Sequence, residues 1–215
     1  MRSTDTSPPR PPQFVQIATN NMFSSGTESA TFTSAVTAGD LIIAAFDYDS
    51  SNGTVTAAAI TDMIGSSYAM AGPFDGPNSG IRNRQYIGYG LAAQTATDTV
   101  QVTLSTQPGS YFELRLHEYA SVSQTAPFDT AASAGGNSAG ADAAQSAAIT
   151  TSEPNELVFG MVIDGQVGAG TSFTLRGNQY GDCTEDMLAV TPGSYTVLAT
   201  PTSTWTATAA AFRGQ

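Results

Sequence analysis

The chain has no lysine, one cysteine, one histidine and one tryptophan in 215 residues. Each shortage excludes something. Without lysine there is no lysine–asparagine isopeptide cross-link, and all seven basic residues are arginine. A single cysteine, Cys183, rules out an internal disulfide. Its neighbours in Gly181-Asp182-Cys183-Thr184-Glu185-Asp186 are polar and acidic, which predicts an incidental loop thiol rather than a reactive thiolate. One histidine and one cysteine do not make a zinc site. Charged residues are only 12%, about half the usual share, and the formal net charge is −11. Phosphate backbones and anionic lipids repel such a chain, which argues against nucleic acid and membrane insertion. No apolar run approaches the ~18 residues of a membrane-spanning helix. The first dozen residues lack the apolar core of a signal peptide, so release by lysis or a removed leader is expected.

What remains is apolar, small and hydroxylic. Hydrophobic residues make up 40%, enough for a sizeable core. The polar surface must come mostly from Thr, Ser, Asn and Gln, as in secreted or particle-surface β proteins. Leu41-Ile42-Ile43-Ala44-Ala45-Phe46 is a continuous apolar run of strand length, preceded by the turn Thr37-Ala38-Gly39-Asp40. Asn52-Gly53 and the β-branched Thr54-Val55-Thr56 follow, which predicts a hairpin. Leu157-Val158-Phe159-Gly160-Met161-Val162-Ile163 is a second such run. Both suit central strands covered on two faces.

Between these runs the period is two. Residues 13–19 read as a first strand, with Val15 and Ile17 on one face. Residues 84–91 place Ile87, Tyr89 and Leu91 together. Residues 99–104 alternate, and residues 111–117 turn Phe112, Leu114 and Leu116 inward. That last pattern leaves Glu113, Arg115 and His117 on a solvent face. Thr130 to Ala148, built largely of Ala, Ser and Gly, reads as a long surface connection. No segment carries a sustained helical period. The expected fold is all-β: a two-sheet antiparallel sandwich, jelly-roll-like, over residues 13–215 as one domain. Residues 1–12, with Pro8, Pro9, Arg10, Pro11 and Pro12, form an extended N-terminal arm expected to dock on a neighbouring subunit.

Certain segments resemble a recurrent β-sandwich module of bacterial secreted and phage structural proteins. They are Gly39-Asp40-Leu41-Ile42, Leu116-His117-Glu118-Tyr119, Pro127-Phe128-Asp129, Asn155-Glu156-Leu157-Val158-Phe159-Gly160 and the last strand from Trp205 to Phe212-Arg213. The resemblance covers residues 14–213. It implies a lectin-like or jelly-roll sandwich used for display or adhesion, and it transfers no catalytic residue.

Candidate chemistry is sparse. Gly136-Asn137-Ser138-Ala139-Gly140 has the letters of a nucleophile elbow but no strand–helix context, and His117 precedes it in the chain. Asp47, Asp49 and Asn52 are a partial calcium loop of hard oxygen ligands, with Ala58 where a bidentate carboxylate belongs. Asp182, Glu185 and Asp186 form a second acidic loop. Tyr86, Tyr89, Tyr111, Tyr119 and Trp205 are candidate glycan-stacking aromatics, although strand aromatics more often pack in cores. No pair of carboxylates has a spacing that marks a glycosidase.

The sequence thus predicts a non-enzymatic structural protein on a virion or extracellular surface, with no required cofactor. Its partners would be copies of itself or other surface proteins. The alternative is a carbohydrate-binding or adhesion module, with Ca²⁺ at Asp47 and Asp49.

Overall fold

The computed structural model describes residues 10–22, 25–51, 55–76, 83–163 and 166–215, and every regular element among them is a strand. The first half holds β1 (Gln13–Met22), β2 (Thr27–Thr31), β3 (Leu41–Asp49), β4 (Ala57–Asp62), β5 (Tyr68–Asp75), β6 (Asn83–Leu91), β7 (Thr99–Leu104) and β8 (Phe112–Ala120). The second holds β9 (Phe128–Gly136), β10 (Ala144–Gln145), β11 (Ile149–Thr150), β12 (Glu156–Ile163), β13 (Gln166–Ala169), β14 (Thr174–Gln179), β15 (Asp182–Ala189), β16 (Ser194–Tyr195), β17 (Leu198–Pro201) and β18 (Trp205–Phe212). All the pairings are antiparallel.

The strand orders repeat. In the first half a five-stranded sheet runs β1-β8-β3-β6-β5 and a three-stranded sheet β2-β7-β4. In the second half the five-stranded sheet runs β9-β18-β12-β15-β14 and the three-stranded sheet β10-β17-β13. The short β11–β16 pair stands where the first half has a single bridge, Val36 to Ala96. Details match as well. The first strand of each half breaks register just after an aromatic residue: Phe14 lies opposite Tyr119, and Phe128 opposite Phe212. Two residues before the equivalent leucines Leu41 and Leu157 of the central strands the backbone turns left-handed, at Gly39 (φ 88°) and Asn155 (φ 61°). Thus residues 13–215 comprise two topological repeats joined by residues 121–127.

Three cores explain the two apolar runs. Ile42, Ala44 and Phe46 of β3 pack with Val100, Val102 and Leu104 of the small sheet beneath. Leu41, Ile43 and Ala45, on the other face of β3, meet Leu157, Phe159, Met161 and Ile163 of β12. Val158 and Val162, on the back of β12, pack with Val197 and Ala199 of the second half. Both central strands are buried on both faces throughout their length, as their composition requires. Each fully buried Leu, Ile or Phe is worth roughly 1.5–3 kcal/mol, so the middle core holds the repeats firmly together.

Several expectations are corrected. Val55 does not lead a return strand beside β3. β3 pairs with β6 and β8 on its two edges, and β4 pairs with β7 in the small sheet. A strand apolar on both faces needs neighbours on both edges, and distant strands supply them. The Ala/Ser/Gly stretch is not all connection: β9 pairs along the alanine-rich β18. Val15 is the register-break residue of β1 and is 47% exposed, so it does not share a face with Ile17. Cys183 is buried in β15 rather than in a loop. Glu113, Arg115 and His117 are buried too, because the second half covers the face that looked free.

The arm departs from expectation at its root. The Arg10 amide donates to the Gln215 carbonyl (2.5 Å) and the Gln215 amide donates back (3.2 Å). The Arg10 guanidinium also donates to Gln215 Oε1 (3.0 Å). Arg10 is therefore paired strand-like to its own C-terminus, and Pro12 packs beside Gly214. Pro8 and Pro9 lie outside the described residues.

Candidate functional site

Charge collects where the two five-stranded sheets face each other. Along β8, Glu113, Arg115, His117 and Tyr119 alternate toward the second half, while Phe112, Leu114 and Leu116 fill the first core. Arg115 is fully buried. Its Nη1 donates to Asp47 Oδ1 (3.2 Å). Its Nη2 donates to Glu113 Oε2, to Asp182 Oδ2 (3.4 Å) and to the Gln179 carbonyl (3.3 Å). Asp47 and Glu113 come from the first half, Asp182 and Gln179 from the second. Burial alone would lower the arginine's pKa, but the charges of Asp47, Asp182 and Glu113 outweigh it and raise it.

Carboxylate oxygens of Asp47, Glu113 and Asp182 lie within 4.8 Å of one another. Three hard oxygen donors are the start of a calcium ligand set. Here the guanidinium already sits among them as the cation. A second cross-seam link lies alongside. Gln85 Nε2 donates to the Thr206 carbonyl (3.0 Å), and the Thr208 hydroxyl donates to Gln85 Oε1.

Farther along the seam His117 is fully buried, its ring 4.9 Å from Phe159, edge to face. Burial, with Arg115 and Arg176 nearby, pushes its pKa down to about 3. Neither ring nitrogen has a hydrogen-bond partner among the described residues. A neutral imidazole in that setting is packing, not a base. Beyond it the Tyr119 hydroxyl donates to Asp186 Oδ2 (2.6 Å). Burial, and then the Asp186 charge, raises the Tyr119 pKa well above the usual phenol value. Arg176 binds the same carboxylate through two nitrogens (2.7 and 3.0 Å) and lies over the Phe14 ring at 4.2 Å. These groups line a cleft of about 290 Å³ with Pro12 and Leu188.

The equivalent cleft in the first half differs. It has about 530 Å³ and is lined by Ser67, Tyr68, Tyr89, Gln124, Thr125 and Pro127, among others. Tyr89 is half-buried and stacks on Phe128 (4.7 Å, 9° between planes), with Phe212 edge-on at 5.7 Å. Gln124 anchors its amide nitrogen to the Gly39 and Val122 carbonyls, both at 2.9 Å.

The structure separates most of the sequence candidates. Asp47 belongs to the Arg115 cluster. Asp49 accepts from the Ser51 amide (2.8 Å) and the Ser110 hydroxyl (2.7 Å), and Asn52 lies outside the described residues. Tyr86 and Tyr119 are buried, so they do not form an exposed platform. Tyr86 stacks on Phe46 (5.2 Å), a core contact. Tyr111 donates to Asn83 Oδ1 at the far end of β6. Trp205 is buried and donates to Ser138 Oγ (3.3 Å). Ser138 is therefore an indole acceptor. Of the candidate aromatics Tyr119 lines the smaller cleft, bonded to Asp186, and Tyr89 the larger. Asp182 and Asp186 are strand residues that reach across the seam, whereas Glu185 points to the opposite face.

Sequence reasoning missed Arg115, Arg176, Tyr68 and Gln124. A signal existed for the first. In a chain so poor in charge, Glu113-x-Arg115-x-His117 between inward apolar residues is not the Thr/Ser pattern of the other outer faces. Compared with protein-family models, curated proteins and solved structures, the chain finds no match.

Proposed function

We propose that the chain is a non-enzymatic structural protein of a virion or another extracellular particle. It is built from two jelly-roll-like sandwiches fused through their larger sheets. The observation that carries this reading is nested pairing. β1 lies beside β8, β2 beside β7 and β3 beside β6. The second half repeats this as β9 with β18, β10 with β17 and β12 with β15. A chain wrapped in this way makes the double-sheet roll of capsid and lectin domains. The polar chemistry supports a scaffold. Every arginine among the described residues is bonded internally, either to a carboxylate or, for Arg10, to Gln215. Each outer edge of the two large sheets, β1, β5, β9 and β14, carries a register break. Such breaks suppress edge-to-edge pairing, so contacts with neighbours fall to the arm. Because Arg10 is tied down in cis, the docking segment is residues 1–9.

The test is the native mass of the full-length protein beside a chain lacking residues 1–9, by light scattering and negative-stain microscopy. Assembly that disappears with the truncation supports the reading. Two monomers overturn it. A second reading, a carbohydrate-binding or adhesion module, is favoured by one feature: the uncharged cleft at Tyr89.

A further inference from the structure

The two topological repeats present the same cleft twice, which allows a comparison within one molecule. Each cleft is bounded by the outer strand of one half (β5 or β14) and by the segment entering the first strand of the other (Pro127 or Pro12). Register fixes the equivalences. Tyr89 pairs with Ala69 as Asp186 pairs with Thr174. Leu91 and Leu188 stand opposite the equivalent residues Leu41 and Leu157.

Two differences separate the clefts. Where one has Asp186, the other has Tyr89. Where Arg176 follows Leu175 in one, Ala71 follows Met70 in the other. The Arg176–Asp186 pair, with Arg176 over the Phe14 ring, lines the first cleft and narrows it. With a methyl group and a phenol ring instead, the second stays open, at about 530 Å³ against 290 Å³.

We infer that the open cleft, between β5 and Gln124–Pro127, is a binding site for the pyranose ring of a neutral sugar. This rests on the carbohydrate-binding reading and gives it a place. The volume falls within the roughly 300–1,000 Å³ of small-molecule sites. No carboxylate or guanidinium lines the cleft. An anionic ligand would meet no cation there on a protein of net charge −11, and a cationic ligand no carboxylate. What the walls do offer is two aromatic rings, Tyr68 and Tyr89, and several neutral hydrogen-bonding groups.

The Tyr89 ring is pre-oriented by Phe128 and Phe212, so it gives the C–H face of a sugar a surface at little entropic cost. Its hydroxyl has no hydrogen-bond partner among the described residues. Gln124 holds its amide nitrogen on two carbonyls, which leaves Oε1 as a fixed acceptor. The hydroxyls of Ser67 and Thr125, both exposed, complete the set for a ligand rich in hydroxyl groups.

The experiment has two arms. In the first, amide resonances of the full-length protein are followed while glucose, galactose, mannose and N-acetylglucosamine are added separately to tens of millimolar. A glycan array is probed in parallel. In the second, the best sugar is titrated into Gln124→Ala and into the double variant Ala71→Arg/Tyr89→Asp, which copies the narrower cleft. Thermal melts check that both variants fold. Shifts centred on Ser67, Tyr89 and Thr125, with binding at least about tenfold weaker in both variants, are expected. Sugar binding that is unchanged in the folded variants overturns the assignment of the cleft while leaving the carbohydrate reading intact. Absence of shifts together with a blank array overturns both.

Discussion

Arg115 is the most informative residue to remove. It is fully buried and is ion-paired with Asp47, Glu113 and Asp182, which come from both halves of the chain. Arg115→Met keeps much of the side chain's length and apolar stem but deletes the charge. Three carboxylates are then left facing one another in a seam closed to water. Breaking a buried ion pair by removing one partner costs about 3–5 kcal/mol, because the remaining charge stays desolvated. Against a typical total of about 5–15 kcal/mol, that is a large fraction of the protein's stability. For a chain of this size it corresponds to a fall in Tm of roughly 6–20 °C.

The assay is urea unfolding followed by the fluorescence of Trp205, which is buried in the second half. Two controls give the result meaning. In the variant the carboxylates, having lost the Arg115 cation, take up protons as the pH falls. Their folded-state pKa then lies above the unfolded value, so the deficit should shrink toward pH 5. Adding Asp47→Asn, Glu113→Gln and Asp182→Asn to Arg115→Met removes the charge imbalance and should recover more than half of the loss. A deficit under about 1 kcal/mol, the level of an exposed pair, would refute the claim that this cluster joins the halves.

Glu185 gives a pH signature of its own. Burial pushes its pKa from 4.5 up to about 8, against the opposing hydrogen bond from the Gly170 amide. The folded-state value lies above the unfolded one, so its contribution is full below pH 4.5 and is lost as the pH rises through about 8. Urea midpoints should therefore fall between pH 5 and pH 9, and less steeply in Glu185→Gln; parallel profiles would count against this. At the left-handed turn, Gly39→Ala should cost about 1–3 kcal/mol, since the new Cβ would sit 2.8 Å from Gln124 Oε1 at φ 88°. Asn155→Gly, at the equivalent turn of the second half, should stay within about 1 kcal/mol of the parent in a thermal melt.

The strands were legible in the sequence, and their partners were not. The runs at residues 41–46 and 157–163 announce strands covered on two faces, and both are central. The alternation from Phe112 to Leu116 identifies the inward face of β8 correctly. Pairing, however, is non-local. Nothing near Asn52-Gly53 says that β3 will choose β6 and β8 over the nearest β-branched segment. The site was harder still. Reading Glu113, Arg115 and His117 as solvent-facing follows from a rule that holds when one face of a sheet is wet. It fails here because a second repeat lies on that face, and the sequence shows no obvious repeat.

That concealment has a physical cause. Repeated topology needs only the same burial pattern and the same turn geometry, and many residue types satisfy each. Gly39-Asp40-Leu41 and Asn155-Glu156-Leu157 both give a left-handed turn, a carboxylate and a buried Leu. Yet only the leucine is identical. β8 and β18 occupy equivalent positions, but one carries Glu-Leu-Arg-Leu-His and the other Thr-Ala-Thr-Ala-Ala. The difference is functional in the mechanical sense. β8 supplies the arginine of the seam, and β18 supplies Ala207, Ala209 and Ala211 to the core of the second half. The clefts diverge by the same logic: a charged pair narrows one, and an aromatic ring lines the other. Two copies of one fold need to share only what holds the backbone, and so are free to differ wherever a side chain meets a partner.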